Sequence, residues 1–427
     1  MNTFMKFKRV TITITAVCLL TSAGADAADD RLAKSITVAG ASFDPAAPPA
    51  PLMLRPDLGL VTAPAVDGSV VYQSPQEIYE TRATITPGGD YLLMFPEGKH
   101  YAGGKDKCNS LVACRSSDKG KTWTEPIDAL GIDYSQHGFI PLIPSGSQRI
   151  YAFGTQPIPD RREGRENCPI GFRYSDDDGR TWSGVALIRP TNDPDFKGMS
   201  VMRMCETDAG TWLLGSHHAD WSKKPIATRL YVMRSEDRGN TWTVAPGARP
   251  GGWFAEEFDR MDEGRPINLG GGNVMMMART PAGHLWATWS GDDGRTWTDP
   301  QPTPLVHPDA PPMLFPHPDG KRLIALHHNR SAGGHFKTSD RSEVWVSLSA
   351  DGGHAWTEPR FLFANALAPT MRDDFRNHQC SYIDAFTDGD VLQLFVPHRW
   401  KRALHLRVKV EDLQRLPTKA TWSADGQ

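Results

Sequence analysis

Ser116-Ser117-Asp118-Lys119-Gly120-Lys121-Thr122-Trp123 reads S-x-D-x-G-x-T-W, and the pattern returns at Ser175–Trp182, Ser235–Trp242, Ser290–Trp297 and Ser349–Trp356, the last with Ala355 in place of Thr. The intervals between copies are 59, 60, 55 and 59 residues. A fixed period of this length is the mark of a repeat architecture. The chemistry of the motif is that of a tight turn. Asp accepts hydrogen bonds from turn N–H groups, Gly supplies a positive φ, and Thr and Trp open the next strand, with Trp as a large apolar anchor. The Asp is therefore expected to satisfy its own turn rather than to ligate calcium.

Between the motifs a Gly-containing turn precedes a short β-forming run six times. These runs are Tyr91–Phe95, Arg149–Phe153, Thr211–Leu214, Asn273–Ala278, Arg322–His327 and Val391–Val396. Turn residues between β-rich runs predict hairpins. Six hairpins and five motifs give six units, each with room for four short strands, which predicts an all-β, six-bladed propeller over residues 72–427. Residues 28–71 read as an N-terminal extended segment, Ala/Pro-rich from Gly40 to Pro64, expected to lead into a strand that closes the ring.

The chain opens with Lys6, Lys8 and Arg9, an apolar run from Val10 to Leu20, and the small residues Ala25-Asp26-Ala27. This is the pattern of a secretory signal peptide over residues 1–27, too short to span a bilayer, and it predicts a periplasmic or extracellular protein. No later run of about 18 apolar residues suggests stable membrane insertion. The whole chain carries −3; without the leader, which holds three positive charges and one negative, it carries −5. A nucleic-acid partner would want a basic surface, so none is expected. Five cysteines remain, Cys108, Cys114, Cys168, Cys205 and Cys380. That set is too sparse for a disulfide framework and has no CxxC spacing for zinc, though Cys108 and Cys114 are close enough in sequence to pair.

The repeated motif in a six-unit chain resembles the Asp-boxes (BNR repeats) of the sialidase (neuraminidase) superfamily, over roughly residues 72–410. The resemblance implies an arginine triad gripping a sugar carboxylate, a tyrosine nucleophile, a glutamate assisting it and an aspartate as acid/base. A neutral phenol suits this chemistry, because an anomeric carbon bearing a carboxylate repels an anionic nucleophile. Arginine suits the grip through bidentate, charge-assisted bonds. Arg82, in Glu80-Thr81-Arg82-Ala83-Thr84, resembles the first triad arginine. Asp106, 24 residues later, resembles the acid/base. Glu263 and Arg279 resemble the glutamate and second arginine. Arg341, eight residues before the fifth motif, resembles the third. Tyr382, in Cys380-Ser381-Tyr382-Ile383-Asp384, resembles the nucleophile.

The sequence departs from the family at Arg82-Ala83-Thr84, where Arg-Ile-Pro is usual, and at Lys99, where Glu-Gly-Arg is usual. It also departs at Leu394-Phe395-Val396-Pro397, which lacks the carboxylate that steadies the first arginine. These departures bear on the substrate and leave the fold alone. The histidine pairs His217-His218 and His327-His328, with His137, His378 and His398, are a competing signal. Neighbours on a strand face opposite ways, so one of each pair at most can reach the site. They suggest a substrate-bonding histidine; no metal or cofactor is expected. The mixed-sign loop Asp160–Glu166 could overhang the channel mouth and set specificity. The expected activity is exo-glycosidase action on a terminal acidic sugar of a glycan or glycoconjugate. A uronate-acting lyase or glycosidase and a non-catalytic glycan-binding propeller stand as alternatives, and the oligomeric state is not readable.

Overall fold

The alternating apolar runs on either side of each Gly turn pair as antiparallel hairpins, and the Ser-Asp-Gly-Thr-Trp turns carry each hairpin on to a fourth strand. The computed structural model describes residues 31–100, 109–132, 137–158, 166–330, 341–369 and 379–423. Six sheets result. Blade one contains Arg82–Ile85, Tyr91–Gly98, Asn109–Ser116 and Ile127–Asp128. Blades two, three and four run Ile140–Leu187, Ser200–Ala245 and Asp262–Val306, each with four strands in chain order. Blade five (Met313–Asn365) gains two strands, Leu60–Thr62 and Met53–Arg55, on its outer edge. Blade six takes three strands from Asp384–Lys409 and its outer strand, Asp67–Gln73, from near the start of the chain. That strand straddles position 71, so the end of the extended segment belongs to the ring. Each blade's first strand packs against the first strands on both sides, so the six together line the central channel.

The turns behave as their chemistry demands. Ser116 Oγ lies 2.8 Å from Asp118 Oδ1 and accepts from Gly120 N at 2.7 Å. Thr122 N and Oγ1 donate to the two Asp118 oxygens at 2.9 and 2.6 Å. The same bonds recur around Asp177, Asp237 and Asp292, and around Asp351 without the hydroxyl that Ala355 lacks. These aspartates are filled by their own turns. The Thr122 bonds hold the Asp118 carboxyl down to about 2.

The core sits between blades. Apolar clusters fill each seam, and a motif tryptophan packs against each of five: Trp123 between blades six and one, Trp182 between one and two, Trp242 between two and three, Trp297 between three and four, and Trp356 between four and five. Blade six has no such motif. The cluster joining blades five and six instead holds Trp422, from the short helix Lys419–Ser423, edge-on to Phe361 at 5.1 Å. Among the described residues no two cysteines are bonded to one another; Cys108 lies outside them. No described helix is long and apolar enough to cross a membrane.

Several histidines are buried as neutral rings. His327 bonds Val306 O and Ser347 Oγ, His328 bonds Glu343 O and Ser381 Oγ, and His405 bonds Gln393 Oε1. Burial pushes His327 and His405 down to about 4 and His328 to about 3. The unfolded chain takes up these protons near pH 6.5, the folded one only near pH 4. Stability must therefore fall as pH drops through that window. Thermal melts are expected to show Tm declining steadily from pH 7 to pH 5; a flat Tm over that range would contradict neutral burial.

Candidate active site

Arg82, Glu263 and Tyr382 fall at the starts of inner strands, while Arg279 ends the second strand of blade four and Arg341 precedes the third strand of blade five; at two of these positions the backbone is unusual. Glu263 has φ 52° and Tyr382 φ 62°, both in the left-handed region that side chains other than glycine rarely adopt. Glu263 lies in a register irregularity between Asp262 and Arg265 at the start of blade four. The approach of blade three is unusually close there, since a Cβ on Gly215 would overlap the Gly264 carbonyl. Strained backbone of this kind persists only where the surroundings enforce it, and it concentrates at functional sites.

The structure brings four of the expected residues together. The Tyr382 hydroxyl donates to Glu263 Oε1 at 2.8 Å. Arg279 Nη1 donates to Glu263 Oε2 at 2.8 Å and to the Tyr382 oxygen at 3.3 Å. Arg341 donates to Gln379 Oε1 at 3.0 Å and to the main-chain oxygen of Asp309. All four are buried. Burial and the Glu263 charge push the Tyr382 phenol well above its usual 10. Burial alone would raise Glu263 as well, but the Arg279 guanidinium and then His137 bring its carboxyl below the usual range.

Arg82 is held differently. Its Nη2 pairs with Glu80 at 2.9 Å, and Glu80 also bonds His137 Nδ1 at 2.5 Å and accepts from Gly138 N at 2.8 Å. The carboxylate missing from Leu394–Pro397 is thus supplied from two residues upstream on Arg82's own segment. The contacts of Arg82 run to this group rather than to Arg279 or Arg341. Asp106 and His378 lie outside the described residues, as do the proposed leader over 1–27 and residues 160–165 of the charged loop.

Sequence reasoning missed the residues that hold the arginines. Asp309 Oδ1 accepts from Arg279 Nε at 2.6 Å and Oδ2 from Arg260 Nη1 at 3.2 Å, while Asp262 accepts from Arg260 Nε at 2.8 Å. Two arginines beside two aspartates form a buried, alternating charge network. Asp262 is the neighbour of Glu263, but nothing in His307-Pro308-Asp309-Ala310 signals a role; only the fold brings it there. Of the histidine pair, His217 lies beside Glu263, whose N–H donates to Nδ1 at 3.4 Å, while His218 faces away toward Lys197 O. Burial lowers His217 to about 4, so its ring is neutral near pH 7. Among the described residues no three His, Cys, Asp or Glu side chains are grouped as a metal site requires.

A six-bladed ring with Asp-box turns on five blades and a Tyr–Glu–Arg cluster gathered at its inner strands from blades four and six is a sialidase-like propeller. Residues 140–394 match a family described as the BNR repeat-like domain, and the chain belongs to that family. No curated protein matches it in sequence. Among solved structures it is similar to a Hadza microbial sialidase, Hz136, at 19% identity and a TM-score of 0.61, over 81% of this chain and 68% of that one. It is similar to a protein of unknown function from Dyadobacter fermentans at 17% identity and a TM-score of 0.59, over 81% of this chain and 99% of that one. The K499G mutant of the NanB sialidase from Streptococcus pneumoniae follows at 12% identity and a TM-score of 0.57, over 80% and 70% of the two chains. At these identities the likeness is one of fold.

Removing Asp309 takes a carboxylate partner from each of two buried guanidiniums, leaving Arg279 with Glu263 and Arg260 with Asp262. Breaking a buried ion pair from one side costs about 3–5 kcal/mol. Asp309→Ala is expected to lose stability on that scale in urea denaturation; a loss no larger than that of an exposed pair such as Arg149–Asp176 would show that the network carries little.

Proposed function

We propose that the protein is a secreted exo-glycosidase of sialidase type that hydrolyses a terminal acidic sugar through Tyr382. The observation that carries this reading is the buried Tyr382–Glu263 hydrogen bond of 2.8 Å, with Arg279 touching both partners. A phenol held well above its usual pKa is protonated at rest and attacks only as its proton leaves. A carboxylate held below its usual range is ionised and ready to take it. The phenolic oxygen bonds the anomeric carbon as the glycosidic C–O bond breaks. Asp106, on the family resemblance, gives its proton to the departing oxygen. Water then bonds the anomeric carbon as the bond to Tyr382 breaks; the Asp106 carboxylate accepts the water's proton, and Glu263 returns its proton to the phenolic oxygen.

The partner is an acidic glycan or glycoconjugate, and Arg341 is the group best placed to grip its carboxylate. Among the described residues its guanidinium touches only an amide and a carbonyl oxygen, so its charge is not spent on a protein carboxylate. Arg279 is shared with Glu263 and Asp309, and Arg82 with Glu80, which leaves them orienting roles beside the grip.

The test is hydrolysis of a fluorogenic sialic-acid glycoside by the mature protein. Glu263→Gln should lower kcat by about 10²–10⁴-fold, the range for a general base, and Tyr382→Phe by more. Arg341→Ala should cost about 10–100-fold in kcat/KM, as expected for one charged hydrogen bond to the substrate. Turnover by a folded Tyr382→Phe variant at the wild-type rate would refute the nucleophile. An unsaturated, ultraviolet-absorbing product from a uronate polymer would move the reading to a lyase, and ligand affinity without any turnover would leave a binding protein.

The pH profile gives an independent check. Glu263 must be ionised to act, and Arg279 with His137 keeps its carboxyl low. The acidic limb of kcat/KM set by Glu263 should therefore lie below about 4.3, the ordinary glutamate value. A limb set by Glu263 near pH 6 would contradict the ion pair with Arg279.

A further inference from the structure

Beside the Tyr382 cluster, the inner strands carry a second group of charges, of which the glycosidase reading uses only Arg82 and Glu80. Arg265 lies on the first strand of blade four and is 1% exposed. Its Nε, Nη1 and Nη2 are all buried and have no hydrogen-bond partner among the described residues. The charges that act on it most come from three other inner strands or their approaches. They are Arg82 and Glu80 at blade one, Arg203 on blade three and Asp384 on blade six. Phe315, on the first strand of blade five, closes the group, its ring 5.8 Å from the Arg265 guanidinium and 5.3 Å from that of Arg203.

The two carboxylates are already committed. Glu80 binds Arg82, His137 and Gly138 N. Asp384 pairs with Arg203 and accepts from Ala83 N at 2.9 Å. Three guanidiniums thus face two carboxylates, and the unmatched one is as deeply buried as Arg82. Arg82 Nε, on the neighbouring guanidinium, is buried and unpartnered as well. Burial, and then the Arg82 charge, pushes Arg265 down to about 9, so it is still a cation at neutral pH. Water can satisfy N–H groups but cannot balance a charge, and an isolated buried cation is costly unless it is paired.

We propose that Arg265, with Arg82 beside it, binds a small monovalent anion of the halide class inside the propeller channel, next to the Tyr382 site rather than in it. A single negative charge balances the one unmatched guanidinium. An anion held between inner strands of different blades binds only the closed ring, so it stabilises the folded state by mass action.

The experiment titrates full-length mature protein with sodium bromide against sodium gluconate at constant ionic strength, following Tm, and locates bromide by anomalous diffraction from crystals. The site predicts a saturable rise in Tm with bromide and an anomalous peak within hydrogen-bonding distance of the Arg265 guanidinium. Arg265→Met, close in volume and uncharged, should abolish the bromide dependence. In gluconate alone it should melt no lower than the wild type, because it removes an uncompensated charge. A Tm that rises equally in both proteins, or no anomalous peak at Arg265, would overturn the proposal, the first as a general salt effect and the second as a channel occupied by water only. The anomalous peak in the wild type decides the matter even if the variant fails to fold. Because neither readout uses turnover, the proposal does not depend on the glycosidase reading.

Discussion

No blade of this molecule can bury its own faces. Each four-stranded sheet has two apolar sides, and they are covered only by the sheets before and after it in the ring. The six seams, five of them packed by a motif tryptophan and the sixth containing Trp422, are therefore the core. That constraint forces the ring to close, and closure is made by pairing Asp67–Gln73 with Arg402–Lys409. It also gathers the inner strands around one axis. Glu263 and Tyr382, 119 residues apart in the chain, share a hydrogen bond only because blades four and six both face the channel.

Crowding six inner strands around a narrow axis leaves little water to solvate charge. The polar groups there must satisfy one another, and they do so by alternation: Asp262, Arg260, Asp309, Arg279 and Glu263 form one chain of opposite charges. Such networks seldom add much stability over an apolar core, but they are intolerant of losing a member. Here the network fixes the Arg279 guanidinium against both oxygen-bearing groups of the Tyr382–Glu263 pair. Asp309 acts twice, holding Arg279 through its carboxylate and Arg341 through its main-chain oxygen.

The fold was legible because its signal is written five times. A turn that needs Asp at one position and Gly at another tolerates little drift, so Asp118, Asp177, Asp237, Asp292 and Asp351 stand out without any structure. The Tyr382, Glu263, Arg279 and Arg341 cluster was legible through family resemblance, and for Tyr382 and Glu263 also through position at inner strands. The partners of those residues were not. Glu80 replaces a carboxylate expected near Leu394–Pro397, and a substitution from another strand leaves no local trace. Asp309 sits in a proline-rich connection, and Arg265 reads like any strand arginine. Their roles come from tertiary proximity, which a single sequence does not encode in any period or motif.

The strand Asp67–Gln73 has a further consequence for how the molecule is made. Arg407 and Asp67, bonded across the closing pair, are 340 residues apart. The outer strand of the last blade is thus synthesised before the other strands of the ring's six blades except those added to blade five, and its partner after all of them. Until Arg402–Lys409 arrives, that strand keeps an unpaired edge and an uncovered face, the features that invite association with other chains. Contacts so distant in sequence also slow the final step of folding. For a chain of this topology the vulnerable interval is the wait for its own C-terminal blade, and the finished ring retains no trace of it.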